Sequence, residues 1–250
     1  MNNIVFGIHT VQAIQNINAQ NLLEVFILKD TDNHRLNVLY CLLKQKGVKI
    51  HLVNRKFIES KVNKGDNHQG IIAVVKSVNQ HSEKFLENII YNIKKPLLLV
   101  LDCITDPHNL GACIRTADAA GVNAIIVPKN RSASINATVQ KISSGATTNL
   151  PLIKVTNIAR TLCLLKKQDI LIVGTSNKST INLYQKQLTL PLALVMGSES
   201  TGIRYLTSKY CDELISIPMY GIVPSLNVSV ATGICLFEIM RQEKFLQHNN

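Results

Sequence analysis

Five short apolar runs punctuate the last 155 residues of this chain: Leu97–Leu101, Ala124–Val127, Ile170–Val173, Leu192–Met196 and Leu214–Ile217. They have strand length, and they do not alternate apolar with polar residues. A strand that is apolar throughout is buried on both faces, which happens in a mostly parallel sheet covered by helices on each side. The segments between most of the runs read as helical, so residues 96–250 form an α/β domain. In such sheets ligands bind beyond the carboxyl ends of the strands. Topology alone therefore nominates residues 102–109, 128–131, 174–175, 197–202 and 218–227 as the lining of a site.

Residues 1–76 have a different texture. An amphipathic stretch carries Val11, Ile14 and Ile17, and a strand follows at Val25–Leu28. A second helix spans about 35–46, with Leu36, Leu39, Leu42 and Leu43 at helical spacing. Strands follow at Lys49–Val53 and Ile71–Val75. This is a small α/β domain of its own. Residues 77–95 are polar with a weak helical pattern and read as a linker with a short helix.

Charge separates the two parts. The 250 residues carry a formal net charge of +11. Residues 1–76 hold ten Lys/Arg against five Asp/Glu, so +5 sits on less than a third of the chain. A fold that tolerates such self-repulsion suits a polyanionic partner. The front domain carries the denser charge and no visible catalytic motif, so it reads as the part that holds nucleic acid.

Several chemistries are excluded. The six cysteines, at 41, 103, 113, 163, 211 and 235, show no C-x-x-C spacing, and most lie in apolar runs. They read as buried thiols of a reducing compartment, with no disulfide framework and no metal site. No leader-like segment opens the chain and no apolar run approaches the about 17–25 residues of a membrane span. A cytoplasmic protein with no membrane role is expected. Gly197–Gly202 has P-loop spacing, but Ile203 and Arg204 stand where the Lys and Ser/Thr belong, so phosphate hydrolysis is rejected. No G-x-G-x-x-G follows a strand, and neither an H-E-x-x-H nor a G-x-S-x-G motif is present.

Three segments at strand ends remain. The first runs from Leu101 to Asp118, with Asn109 read as the start of a helix and Arg115 six residues on. The second is Val195–Gly202, containing Glu199. The third is Ile215–Ala231, containing Ser225 and Asn227. Singly, each has a plain reading as a turn with a helix cap. The final helix, about 227–240, leaves little polar face, which predicts burial on nearly all sides.

Together and in this order, the three segments resemble the SPOUT class of RNA methyltransferases, in the SpoU/TrmH branch of ribose 2′-O-methyltransferases. The resemblance covers the whole chain. It extends to Phe6–Ala13, His68–Ile71 and Pro128–Ala133, which look like the bacterial large-subunit rRNA guanosine enzymes of that branch. It implies an L30e-like RNA-binding front domain and a C-terminal α/β domain tied in a deep trefoil knot, a topology that ordinary folding rules make rare. The implied reaction is methyl transfer from S-adenosyl-L-methionine to the 2′-oxygen of a guanosine in the peptidyl-transferase region of 23S rRNA. Relatives acting on a tRNA D-loop guanosine, or on an rRNA adenosine to give antibiotic resistance, define the alternative substrates.

The resemblance also implies roles. Arg115, Asn109, Glu199, Ser225 and Asn227 would form the reacting centre, with Glu199 orienting Arg115 or Asn109. Gly197, Ile217 and Leu226, with Thr175 and Met219 beside them, would hold the cofactor mainly through backbone groups. Lys129 and Arg131 would touch RNA. The enzyme would be a metal-free homodimer with the last helix at its interface.

Overall fold

The computed structural model describes residues 3–29, 31–62, 65, 67–76 and 80–248. In chain order the first elements are β1 (Asn3–Phe6), α1 (Ile8–Asn18), β2 (Leu22–Leu28), α2 (His34–Gln45), β3 (Lys49–Val53), α3 (Arg55–Glu59) and β4 (Ile71–Val75). Next come β5 (Gln80–His81), α4 (Glu83–Asn92), β6 (Leu97–Asp102), α5 (Pro107–Ala119), β7 (Ala124–Pro128), α6 (Ala137–Ile142) and α7 (Ala146–Asn149). The chain ends with β8 (Leu152–Val155), α8 (Ile158–Lys166), β9 (Leu171–Thr175), β10 (Leu192–Gly197), α9 (Tyr205–Lys209), β11 (Glu213–Ile215) and α10 (Val228–His248).

Two compact units result. The first joins residues 1–78 to residues 135–149. Its sheet has the order β1-β4-β2-β3, with β2 and β3 parallel and the other pairs antiparallel. Side chains of a strand alternate between faces. Val5, Ile71, Ala73 and Val75 therefore point into one core, shared with Val11, Ile14, Leu36, Leu39 and Leu43 of α1 and α2. Phe6 and Ile72 point into the other, with Ile58 of α3 and Ala137 of α6. Asparagine starts α2 and α3. Asn33 accepts the N–H groups of Arg35 and Leu36, and Asn54 that of Phe57.

The second unit joins residues 79–134 to residues 150–250. Its seven strands run β11-β9-β10-β6-β7-β8-β5, and every pairing is parallel. One face buries Leu98, Val100, Ile126, Ile153, Ile172 and Val195 under α4 and α8. Helix α10 packs on α5 and β10. All six residues of β6 and all six of β10 are buried, Asp102 at the end of β6 among them.

Three sequence expectations need correction. Residues 77–95 hold the short helix expected of them, α4, but are more than a linker: β5 pairs with β8, and α4 buries Leu86 and Ile89 in the second core. Residues 77–79 lie outside the described residues. The segment 135–149, read as part of the 96–250 domain, belongs to the first unit. There the Lys141 ammonium sits 4.8 Å over the Phe6 ring, and a side chain on Gly145 would meet Ala13. Finally, α10 is not buried on all sides by its own chain. Val228, Thr232, Cys235, Leu236 and Ile239 make a buried stripe, while Val230, Phe237 and Phe245 stand exposed.

Candidate active site

The second sheet changes direction between β6 and β10. From β6 the chain adds β7 and β8 on one side, then returns to place β9 and β10 on the other. Carboxyl ends of strands at such a switch point open a crevice. Here the register sets Gly197, the last residue of β10, opposite Asp102, the last of β6. Thr175 ends β9 and is level with Ile215 on β11.

Helix α5 begins beside this crevice. Its cap is Asp106, whose carboxylate accepts the His108 N–H at 3.0 Å, and Pro107 occupies the first turn. The sequence reading placed the cap at Asn109, and that is corrected. Because Asp106 takes the capping role, the Asn109 amide is free for a different partner. Its Nδ2 donates to Oε1 of Glu199 at 3.0 Å, and its Oδ1 accepts from Nδ2 of Asn227 at 2.9 Å. Asn227 Nδ2 also donates to Glu199 Oε1, at 2.6 Å. One carboxylate oxygen thus gathers two asparagines, and the Val228 N–H at the start of α10 reaches the same oxygen at 3.3 Å. Asn227 caps α10 as well, its Oδ1 accepting the N–H and hydroxyl of Ser229.

All three strand-end segments therefore meet in a single hydrogen-bonded cluster, joined across 90 and 118 residues of sequence. A carboxylate with its charge held by amide donors and a helix N-terminus is a fixed structural anion. Glu199 orients Asn109. Among the described residues none bonds the Arg115 guanidinium, which is exposed on α5. The expected alternative, Glu199 holding Arg115, is not the arrangement present. Ser225 is exposed in the loop before Asn227.

The cofactor positions line the same edge. Gly197 ends β10, and the backbone folds straight back over it: Ser198 and Gly202 exchange N–H···O bonds of 3.1 and 2.8 Å. A Cβ on Gly197 would lie 2.0 Å from the Gly202 carbonyl carbon. Thr175 directs its hydroxyl at the Val195 carbonyl, 3.4 Å away. Ile217, Met219 and Leu226 are half-buried in the loop between β11 and α10. This set offers loop backbone groups and apolar or thioether side chains. Such surroundings fit a neutral heteroaromatic ring and a sulfonium chain better than a phosphate. Lys129 and Arg131 are exposed just past β7. The Lys129 N–H is fixed on the Val155 carbonyl at 2.7 Å, and Arg131 holds a left-handed φ of 60°.

One feature of the edge escaped the sequence reading. Asp102 is fully buried, and Arg204 binds it through Nη2 at 2.6 Å, Nε at 2.8 Å and its backbone N–H at 3.1 Å. A signal existed: an acid closing a wholly apolar strand must find a cation, because burying it unpaired costs several kcal/mol.

The family profile described as the SpoU rRNA Methylase family matches residues 96–237. A second profile, RNA 2′-O ribose methyltransferase substrate binding, matches residues 4–81. The chain is 53% identical over 242 residues to the 23S rRNA (guanosine-2′-O-)-methyltransferase RlmB of Yersinia pestis, covering 97% of this chain and 98% of that protein. Identity to the RlmB of Escherichia coli K12 is also 53%, covering 97% and 99%. Among solved structures, the SpoU methyltransferase AviRb of Streptomyces viridochromogenes in complex with AdoMet superposes with a TM-score of 0.79. It is 22% identical and covers 96% of this chain and 90% of its own, a likeness of fold. A TrmH/SpoU tRNA modifying enzyme of A. aeolicus, 34% identical with a TM-score of 0.57, covers 66% of this chain and 85% of its own. Among the described residues no helix is long and apolar enough to cross a membrane.

Proposed function

The chain belongs to the SpoU rRNA methylase family, and from that premise we propose that it methylates the ribose 2′-oxygen of a guanosine in 23S rRNA, using S-adenosyl-L-methionine. The observation that carries this reading is the Asn109–Glu199–Asn227 cluster at the strand-end crevice, with Arg115 exposed on the helix that supplies Asn109. The choice of 23S rRNA guanosine follows the RlmB relatives, whose likeness runs through both units.

S-adenosyl-L-methionine supplies a sulfonium methyl that is already electrophilic. What the protein must add is alignment of a weak nucleophile and management of the charge that develops on it. A cation beside the 2′-oxygen acts most strongly in the transition state, where it raises turnover. Arg115 has that role and grips the neighbouring phosphate. Its guanidinium carries N–H donors and no acceptor lone pair, so it serves as a donor and not a base. Asn109, Ser225 and Asn227 present hydrogen-bonding groups to the target nucleotide, and Glu199 keeps the two asparagines in place. Backbone groups at Gly197, Ile217 and Leu226, flanked by Thr175 and Met219, hold the cofactor. Lys129 and Arg131 meet RNA phosphates, and the basic front unit supplies the larger RNA surface. The reading includes the family's trefoil knot in the C-terminal region, a cytoplasmic location beside the rRNA substrate, and no metal.

The deciding experiment is nucleoside mass spectrometry of rRNA and tRNA from cells with and without the gene. One 2′-O-methylguanosine disappears from 23S rRNA on deletion. Loss of a tRNA methylguanosine, or of an rRNA methyladenosine, would replace this reading by one of the alternatives.

The same reading makes the protein a homodimer through α10. Phe237 is 53% exposed and Val230 51% exposed on the side of α10 away from its buried stripe. Water-exposed aromatic and branched side chains on one helix suit an isologous contact between two copies. Phe237→Glu is expected to shift the sedimentation of the full-length protein from dimer to monomer. A wild-type protein that sediments as a monomer at micromolar concentration would remove the dimer from the reading.

A further inference from the structure

We propose that Asp102 and Arg204 are positioning residues for methyl transfer: their ion pair holds the 198–203 loop down on the sheet and so places Glu199. The inference rests on the functional reading above and extends it to residues outside the reacting centre.

The loop has an unusual course. It leaves β10 at Gly197, turns within four residues, and passes back over Gly197 so closely that no side chain fits beneath it. Glu199 sits on that turn. Its carboxylate reaches sideways to Asn109, Asn227 and the Val228 N–H. The far end of the loop is fastened at Arg204. There both oxygens of Asp102 are used: Oδ1 by the guanidinium Nε and Nη2, Oδ2 by the Arg204 backbone N–H. Asp102 is the register partner of Gly197, so the anchor lies directly beside the point where the loop begins. The chain also leaves β6 at Asp102, and within seven residues it supplies Asn109. A closed circuit results, from Asp102 through α5 and Asn109 to Glu199, and from Glu199 through the loop to Arg204 and back to Asp102.

Bulk stability does not account for this pair: Asp102 is fully buried while the Arg204 side chain is 39% exposed, and an apolar residue at the buried position would avoid the cost of burying a charge. What an apolar pair lacks is direction. A carboxylate engaged by a guanidinium edge and by the backbone N–H of the same residue fixes that residue in both position and orientation. A lysine at 204 would keep the charge and lose the fork. The loop tip would then rest on its own turn bonds, and Glu199 would carry the asparagines with it as it moved.

Arg204→Lys in the full-length protein tests this, since it leaves Asp102 a cation and preserves folding. The Val228 amide reports directly on Glu199, to which it donates. In Arg204→Lys its ¹H–¹⁵N resonance is expected to move, and turnover on 23S rRNA to fall by about 10²-fold, the usual cost of an ångström-scale misplacement. The KM for RNA is expected to hold. Asp102→Asn, which keeps size and removes charge, is expected to give the same pattern. An unmoved Val228 resonance overturns the proposal whatever the rate does, and so does a moved resonance with native turnover. If the wild-type protein proves not to methylate rRNA, the functional reading fails by itself. The Val228 resonance still reports whether Arg204 places Glu199.

Discussion

Arg115→Ala is expected to lower turnover by about 10²–10³-fold while leaving S-adenosyl-L-methionine affinity unchanged, the loss seen when one preorganised charge stabiliser is removed. The guanidinium is exposed on α5 and has no partner among the described residues, so its removal breaks no contact that the fold needs. Unfolding should be unaffected. Single-turnover methylation of rRNA, with cofactor binding followed by calorimetry, separates the two quantities. Arg115→Lys should recover little, because a point charge does not reproduce a planar fork that grips phosphate and oxygen together. Near-native turnover by the alanine variant would make Arg115 a bystander on the helix surface.

Gly197→Ala should be severe for the opposite reason, acting on structure before chemistry. The new methyl group would lie 2.0 Å from the Gly202 carbon and 2.1 Å from the Ile203 nitrogen. Both are backbone atoms, so no rotamer change relieves the overlap. The loop must rise by more than an ångström, taking Glu199 off Asn109 and Asn227. Overpacking of this kind costs about 1–3 kcal/mol of stability, and misplacement near a reacting centre costs about 10²-fold in rate. Cofactor affinity falls too, because Gly197 is among the backbone positions assigned to it. The measurements are the thermal midpoint, calorimetric cofactor titration and turnover. Native values in all three would mean that the backbone return over Gly197 is not needed for the site.

The five apolar runs were legible because a strand covered on both faces is made almost wholly of apolar residues, and β6, β7, β9, β10 and β11 lie on them. Boundaries moved where tertiary partners intervened. The last run was read to Ile217, but β11 stops at Ile215, where Ser216 pairs with the segment at Ile181–Leu183 instead. Strand β8 was missed because Lys154 interrupts its short run, and β5 because two residues carry no period. Helix α3, five residues long, gave equally little pattern. The site segments were found by their order at strand ends. Of their internal bonding, Glu199 on Asn109 was one of two expected partners, while the bonds of Asn227 to both were not expected, since a cap-forming Asn and a site-forming Asn are the same residue type. Only the Asp106-Pro107 pair, a stronger start signal, distinguishes them, and it was passed over.

Local chemistry in the sequence determined the parallel sheet, the small basic front unit, the caps and the three segments that the site would use. Each depends on residues close in the chain, where periodicity and residue type carry the information. Tertiary structure decided the rest. It drew 135–149 into the first unit, gave Glu199 to Asn109 and Asn227, and set Arg204 on Asp102 across 102 residues. Hydrogen bonds and ion pairs of that span leave no periodic trace. They exist only once parallel strands have brought the ends of β6 and β10 side by side.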